Sequence, residues 1–297
     1  MWAERLARYL EVRGYSPHTI TAYCADVRQA ELFFKSEFGK TIADLSVAEL
    51  EQYLIVLSQK RYRPRTLNRK MMALRALGRF LRWEGYPITW DASLEVIPAT
   101  ATLPQFLSEK EVVAITDWLE EIPTEWRELR DKVVFLLLIT TGMRRGELLR
   151  VKVGDVDMNG RWIRVMGKGG KERHLPLLEW MSALLHSYLK ERNARRPQVP
   201  HLIITDKLRP PYPAMIYRIV RRLSYHLTGK ILSPHQLRHT FATVLLNRGV
   251  DVMTLKELLG HASLAATQIY THTSIDQLKK AIIQAHPHGT ETIDKSA

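Results

Sequence analysis

Apolar residues recur at three- and four-residue intervals through most of the chain, a pattern that predicts helices rather than strands. Trp2 to Val12 is a short amphipathic segment ending at Gly14. Ser16 and Pro17 then supply an N-cap and a proline at the first helical position, and Ile20, Tyr23, Cys24, Val27, Ala30 and Phe34 follow on one face. Ser46 and Glu49 have capping-box spacing ahead of Leu50, Tyr53, Leu54 and Leu57. Pro64 opens a fourth helix carrying Leu67, Met71, Leu74, Leu77, Phe80 and Leu81. Four helices in so short a stretch predict an independent bundle over residues 1–86.

From Glu84 to Phe106 the periodicity fades, and Gly85, Pro87, Pro98 and Pro104 stand among Thr and Ala. Spaced prolines stiffen a chain without allowing a helix, so residues 87–106 read as an inter-domain linker. Regular structure restarts at the capping box Ser108–Glu111, and a second, mainly helical domain runs over 107–286. Within it, 162–166 and 174–177 flank a glycine-rich turn and read as a β-hairpin, with 202–205 as a third short strand. Residues 287–297 are a polar tail. The fold class expected is mainly α with a small β-hairpin or sheet, as a four-helix N-terminal domain followed by an α+β domain.

Charge adds a partner to this picture. The 297 residues carry 44 Lys and Arg against 31 Asp and Glu, a formal net charge of +13. So large an excess points to a polyanion, nucleic acid before an acidic membrane. Much of it is concentrated between Lys60 and Arg82, where Arg61, Arg63, Arg65, Arg69, Lys70, Arg75 and Arg79 also lie and no acidic residue intervenes. Such a helix face repels itself unless an anion lies against it, which makes these residues candidates for duplex contact. Val133 to Ile139 is the longest unbroken apolar run, far short of the roughly 20 residues that span a bilayer. With no apolar signal core at the N-terminus and Cys24 as the one cysteine, a cytoplasmic protein without a membrane partner, an internal disulfide or a cysteine-based zinc cluster is expected.

Three clusters in the second domain carry chemistry. In Thr141-Gly142-Met143-Arg144-Arg145-Gly146-Glu147-Leu148, Gly142 is placed to end the apolar helix, and Glu147 lies near enough to orient Arg144. Gly167-Lys168-Gly169-Gly170-Lys171-Glu172-Arg173 sits between the hairpin strands; it lacks the spacing and hydroxyl of a Walker loop and reads as a tip able to carry Lys168 toward DNA. Ser233-Pro234-His235-Gln236-Leu237-Arg238-His239 starts a helix, with His235 and Arg238 on one face at an end that favours anions. His235 and His239 have zinc-like spacing, but the glutamate of His-Glu-x-x-His and a third ligand are missing, so no metal is assigned. Leu258-Leu259-Gly260-His261 and Thr267-Gln268-Ile269-Tyr270-Thr271-His272 follow.

Taken in order over about residues 3–285, these motifs resemble the tyrosine recombinase (phage integrase) family, most of all its Xer branch. Met143 and Gly146 depart from the commoner leucine and serine. The resemblance implies a site-specific DNA recombinase with a core-binding domain and a catalytic domain, and a site formed by Arg144, Lys168, His235, Arg238, His261 and Tyr270. It implies that Tyr270 attacks a phosphodiester to leave a 3′-phosphotyrosyl link, that Arg144 and Arg238 stabilise the charged oxygens, and that Lys168 protonates the leaving 5′-oxygen. Exchange of one phosphoester for another needs neither ATP nor a metal, so no cofactor is expected. The partners implied are double-stranded DNA bearing a recombination site and further protomers, as a tetramer on DNA, alone or with a paralogous recombinase. A tail helix, Ser274 to His286, is expected to dock on a neighbouring subunit or on its own domain. The chain leaves no room for the arm-binding domain of some phage integrases. A non-catalytic regulator on the same fold and a relaxing enzyme of the type IB topoisomerase kind are the alternatives.

Overall fold

Local caps start the helices of the first unit. The computed structural model describes residues 2–60, 62–94, 106–115, 118, 121–167, 170–260 and 280–287. The chain divides into two units, Met1–Thr102 and Leu103–Ala297. In the first, Ser16 Oγ accepts the Thr19 N–H at 3.1 Å, and Ser46 and Glu49 complete a reciprocal capping box. These fix the starts of α2 (Pro17–Phe38) and α3 (Val47–Gln59), which lie between α1 (Trp2–Val12) and α4 (Pro64–Trp83). α2 packs on both α1 and α4, and Leu6, Leu10, Val27, Phe34, Leu74 and Phe80 close the core between them. That core extends past the expected start of the linker at 87. Ile88, Trp90 and Leu94 are buried in it, and Asp91 pairs with Arg82 on α4 at 2.7 Å. Burial of a tryptophan outweighs the weak local pattern of this stretch.

In the second unit the helices are α5 (Glu109–Val113), α6 (Trp126–Thr141), α7 (Arg145–Leu148), α8 (Glu179–Ala194), α9 (Pro213–Thr228), α10 (Pro234–Asn247) and α11 (Val252–Leu259). α6 is the axis. Every residue from Leu129 to Thr141 is buried, as expected of a helix enclosed on all sides, and α8, α9 and α10 pack around it.

The three-stranded antiparallel sheet runs β1 (Val156–Asp157), β2 (Trp162–Met166), β3 (Glu172–Pro176). Ile163 faces Leu175 and Val165 faces Arg173 across β2 and β3. The third strand is therefore 156–157 and not 202–205. Leu202, Ile203 and Ile204 are fully buried, but only an isolated bridge pairs His201 with Lys152. Side chains take the carbonyls a strand would share: Tyr188 Oη donates to Leu202 O at 3.0 Å, and Arg192 Nε to His201 O at 3.0 Å. Of the expected tail helix, only residues from 280 onward are described. Its Ile282 and Ala285 belong to the core of the second unit. Among the described residues, no helix is long and apolar enough to cross a membrane.

Lys132 on α6 is fully buried, donates to the carbonyls of Trp118 and Glu121, and lies 4.7 Å from the Trp118 ring centroid. Burial lowers its pKa from 10.5 to about 8, against the opposing charge of Glu121. Between those two values the unfolded chain binds the proton that the folded chain has shed, so stability rises with pH across this window. The slope is at most about 1.4 kcal/mol per pH unit. Urea unfolding of the wild-type chain and of Lys132→Met, compared from about pH 7.5 to 10, is expected to show this rise in the wild type alone. Parallel curves would rule Lys132 out as its source.

Candidate active site

Two helix ends and one strand meet to form the site. α6 stops at Gly142, whose φ of +62° is left-handed and whose added Cβ would lie 2.4 Å from the Phe241 ring. Glycine alone satisfies both conditions, and the turn it makes brings Arg144 to the start of α7. The Arg144 N–H donates to Glu147 Oε2 at 2.7 Å and its Nη1 to Glu147 Oε1 at 3.0 Å. Glu147 is 2 % exposed, and Arg173 on β3 forks onto the same two oxygens at 2.8 and 2.9 Å. Burial raises the Glu147 pKa. The bonds and charge of Arg173, with those of Arg144, outweigh that effect and hold it below the usual carboxylate range.

Arg238 arrives from α10. The capping box of Ser233 and Gln236, with Pro234 at the first turn, fixes where that helix begins. The Arg238 side chain runs inward: Nη1 donates to Gly142 O at 2.7 Å and Nη2 to Leu259 O at 2.5 Å. Burial, and then the positive charge of Arg144, lower its pKa to about 10, so it remains a cation at neutral pH.

The common anchor is the C-terminal end of α11. Three successive carbonyls there are each taken by a different guanidinium: Leu258 O by Arg173 Nε at 2.9 Å, Leu259 O by Arg238, and Gly260 O by Arg144 Nη2 at 3.3 Å. Cations favour the negative end of a helix, and three converge here. Arg144 and Arg238 thus stand side by side, one residue before His261. A guanidinium carries five N–H donors. Among the described residues, hydrogen bonds occupy two on Arg238 and two on the Arg144 side chain, which leaves donors on both for a tetrahedral oxyanion.

The structure therefore brings Arg144 and Arg238 together. His235 is exposed one turn before Arg238 on α10, while His239 packs edge-on against Phe106 with ring centroids 5.3 Å apart. Lys168, His261 and Tyr270 lie outside the described residues, as does Arg61. Arg173 was not anticipated as a member of the site. Its signal was a charge in step with Leu175 and Leu177, core residues two and four positions further on.

The model of the phage integrase family matches residues 105–276, and that of the phage integrase N-terminal SAM-like domain matches residues 3–85. The tyrosine recombinase XerC of Pelobacter propionicus is 36% identical over 281 residues, covering 93% of this chain and 91% of its own. The chain belongs to the phage integrase family. It is a site-specific tyrosine recombinase. Its fold matches the XerH site-specific recombinase bound to palindromic difH substrate in a post-cleavage complex, with TM-score 0.68 and 26% identity over 88% of this chain and 78% of that one. A lambda integrase tetramer bound to a Holliday junction shares the fold at TM-score 0.62 and 19% identity, over 91% of this chain and 80% of that one.

In the first unit of the recombinase, the basic residues of α4 separate into two groups. Arg63, Arg65 and Arg79 are exposed and Arg75 is half-buried. Among the described residues, none of these four makes an ion pair. Lys70 departs from the expectation of a surface contact. It is 5 % exposed, donates to Asp26 Oδ1 at 3.0 Å and to Gln29, and lies 5.2 Å from the Tyr62 ring centroid. Arg69 reaches the same carboxylate from the surface, with Nη1 2.6 Å from Asp26 Oδ2 and a hydrogen bond to Ala22 O at 3.2 Å, while its side chain stays 41 % exposed. Helical spacing put Lys70 beside the other cations, but α2 covers that side of α4 and brings Asp26 with it. Lys70→Ala is therefore expected to lower stability by about 3 kcal/mol, because it strips a partner from a buried carboxylate. Chemical denaturation reads this directly. A Lys70→Ala chain of unchanged stability would return Lys70 to the surface group.

Proposed function

We propose that the recombinase cuts and rejoins double-stranded DNA through a covalent phosphotyrosyl intermediate, with Tyr270 as nucleophile. The observation that carries this reading is the pairing of Arg144 and Arg238 at the end of α11, immediately ahead of the segment that holds His261 and Tyr270. Two guanidinium groups that remain charged, with donors unoccupied among the described residues, suit the non-bridging oxygens of a scissile phosphate. In the step proposed, the Tyr270 hydroxyl gives up its proton to a histidine of the site or to solvent, its oxygen bonds to phosphorus, and the bond to the 5′-oxygen breaks. The 5′-hydroxyl takes its proton from Lys168, and a 3′-phosphotyrosine remains. His235 and His261 donate to phosphate oxygens or assist the proton transfers. A 5′-hydroxyl of another strand then attacks the phosphotyrosine and frees Tyr270. Phosphoester is exchanged for phosphoester throughout, so the reaction needs neither ATP nor a metal ion.

The duplex is the partner that a net charge of +13 favours, and Arg63, which precedes α4, with Arg65, Arg75 and Arg79 on it, are the residues proposed to meet its phosphates. Strand exchange between two sites calls for several protomers. The lambda integrase tetramer on a Holliday junction, which shares the fold, makes a tetramer the assembly proposed here, of this chain alone or with a paralogous recombinase.

A duplex site can be selected from a random pool by binding to the full chain, then nicked so that cleavage releases a short strand and traps the adduct. The wild type is expected to yield both a covalent protein–DNA adduct and recombinant product. Tyr270→Phe abolishes the adduct and keeps binding, and Arg238→Ala slows adduct formation on the order of 100-fold or more, as for loss of one oxyanion donor. Binding with no adduct would indicate a regulator, and adduct with no recombinant a relaxing enzyme. An adduct that survives Tyr270→Phe would mean that another residue is the nucleophile.

A further inference from the structure

Arg173 is a cation spent wholly inside the protein. It is 3 % exposed, so it offers no surface to DNA, yet it touches the two elements that hold Arg144. Its two Nη groups fork onto both oxygens of Glu147, and its Nε donates to Leu258 O. The end of α11 rests directly on this guanidinium, since a Cβ at Gly260 would stand 3.0 Å from Arg173 Nη1.

The charges explain why a second arginine is needed. Glu147 is 3.0 Å from Arg144 Nη1. Alone, those two form a neutral pair, and a phosphate would meet a cation already matched by a buried carboxylate. With Arg173 on the same carboxylate, the trio keeps one net positive charge, and that charge sits on Arg144, whose side chain is 40 % exposed. Arg173 also has a mechanical consequence. It stands next to Glu172, which pairs with Met166 across the hairpin, and the Gly167 N–H donates to Lys171 O at 2.8 Å to close it. Strand β3 is thereby tied to Glu147 on one side and to the end of α11 on the other.

We propose that Arg173 is a positioning residue for strand transfer: it neutralises Glu147 so that Arg144 keeps its charge for the scissile phosphate, and it ties β3 to the end of α11. The inference rests on the reading of Arg144 and Arg238 as phosphate-binding groups. Its test uses the full chain and the nicked duplex described above, with single-turnover adduct formation at saturating protein, the dissociation constant for the duplex, and thermal unfolding measured on each variant. Arg173→Met is expected to slow adduct formation about 100-fold, the scale of a small misplacement in a preorganised site. Duplex affinity should change less than about twofold, because phosphate contacts elsewhere dominate it. Arg173→Lys, which keeps the charge but loses the fork, should fall between Arg173→Met and the wild type.

The decisive comparison is Arg173→Met with the double variant Arg173→Met, Glu147→Gln. Removing the carboxylate charge frees Arg144 and is expected to restore the rate at least about tenfold over the single variant. A purely structural arginine predicts no such recovery. The inference is overturned if folded Arg173→Met makes adduct at the wild-type rate, or if the double variant is no faster than the single one. Should Arg173→Met fail to fold, Arg173→Lys decides, and a wild-type rate there overturns the inference. A wild-type chain that makes no adduct removes the strand-transfer reading and this inference together, whereas a normal wild type with an equally fast Arg173→Met removes this inference alone.

Discussion

A carboxylate that stays ionised inside a protein must be surrounded by donors and cations, because an isolated buried charge is strongly disfavoured. Glu147 meets that condition with four hydrogen bonds: from the Arg144 backbone, the Arg144 guanidinium and both arms of Arg173. Much of the second unit's chemistry follows from this. Two arginines drawn to one carboxylate have donors left over, and these reach the carbonyls at the end of α11, where Arg238 ends as well. A site for an anion is thus assembled around an anion already in place. The surplus of positive over negative charge, rather than any single contact, is what the proposed phosphate would meet.

The scaffold makes this arrangement rigid. α6, enclosed by α8, α9 and α10, ends in a glycine turn that admits no side chain against Phe241. Arg238 closes the same turn from the other side through Gly142 O. The positions of Arg144 and Arg238 are consequently set by backbone packed in the core rather than by loose surface loops, which suits the preorganised anion site proposed for them.

The same physics shows why net charge alone is a poor guide to where a polyanion binds. The chain has a net charge of +13, but several of its cations serve the interior. Lys70 answers Asp26, Arg130 answers Asp131, Lys132 and Arg192 hold carbonyls, and Arg173 answers Glu147. The cations open to the proposed duplex contact are those that, among the described residues, pair with neither a carboxylate nor a carbonyl. On α4 this criterion separates Arg63, Arg65 and Arg75 from Lys70, although all of them stand in one basic run of sequence.

Helix starts were legible because capping acts over three or four residues. Ser16, Ser46, Ser108 and Ser233 each cap the helix that follows them, and Gly142 ends the apolar run as expected. The family motif likewise singled out Arg144 and Arg238 from types and order alone. Long-range packing decided what local pattern could not express. Lys70 is buried because a second helix covers its side of α4, Ile88, Trp90 and Leu94 joined a core where a linker was expected, and the third strand formed at 156–157 beside β2. Arg173 acquired its place from Glu147, 26 residues earlier, and from Leu258, 85 residues later. Caps and periodicity are written in neighbouring residues. The sharing of one buried carboxylate and one helix end among three distant arginines exists only once the chain has closed on itself.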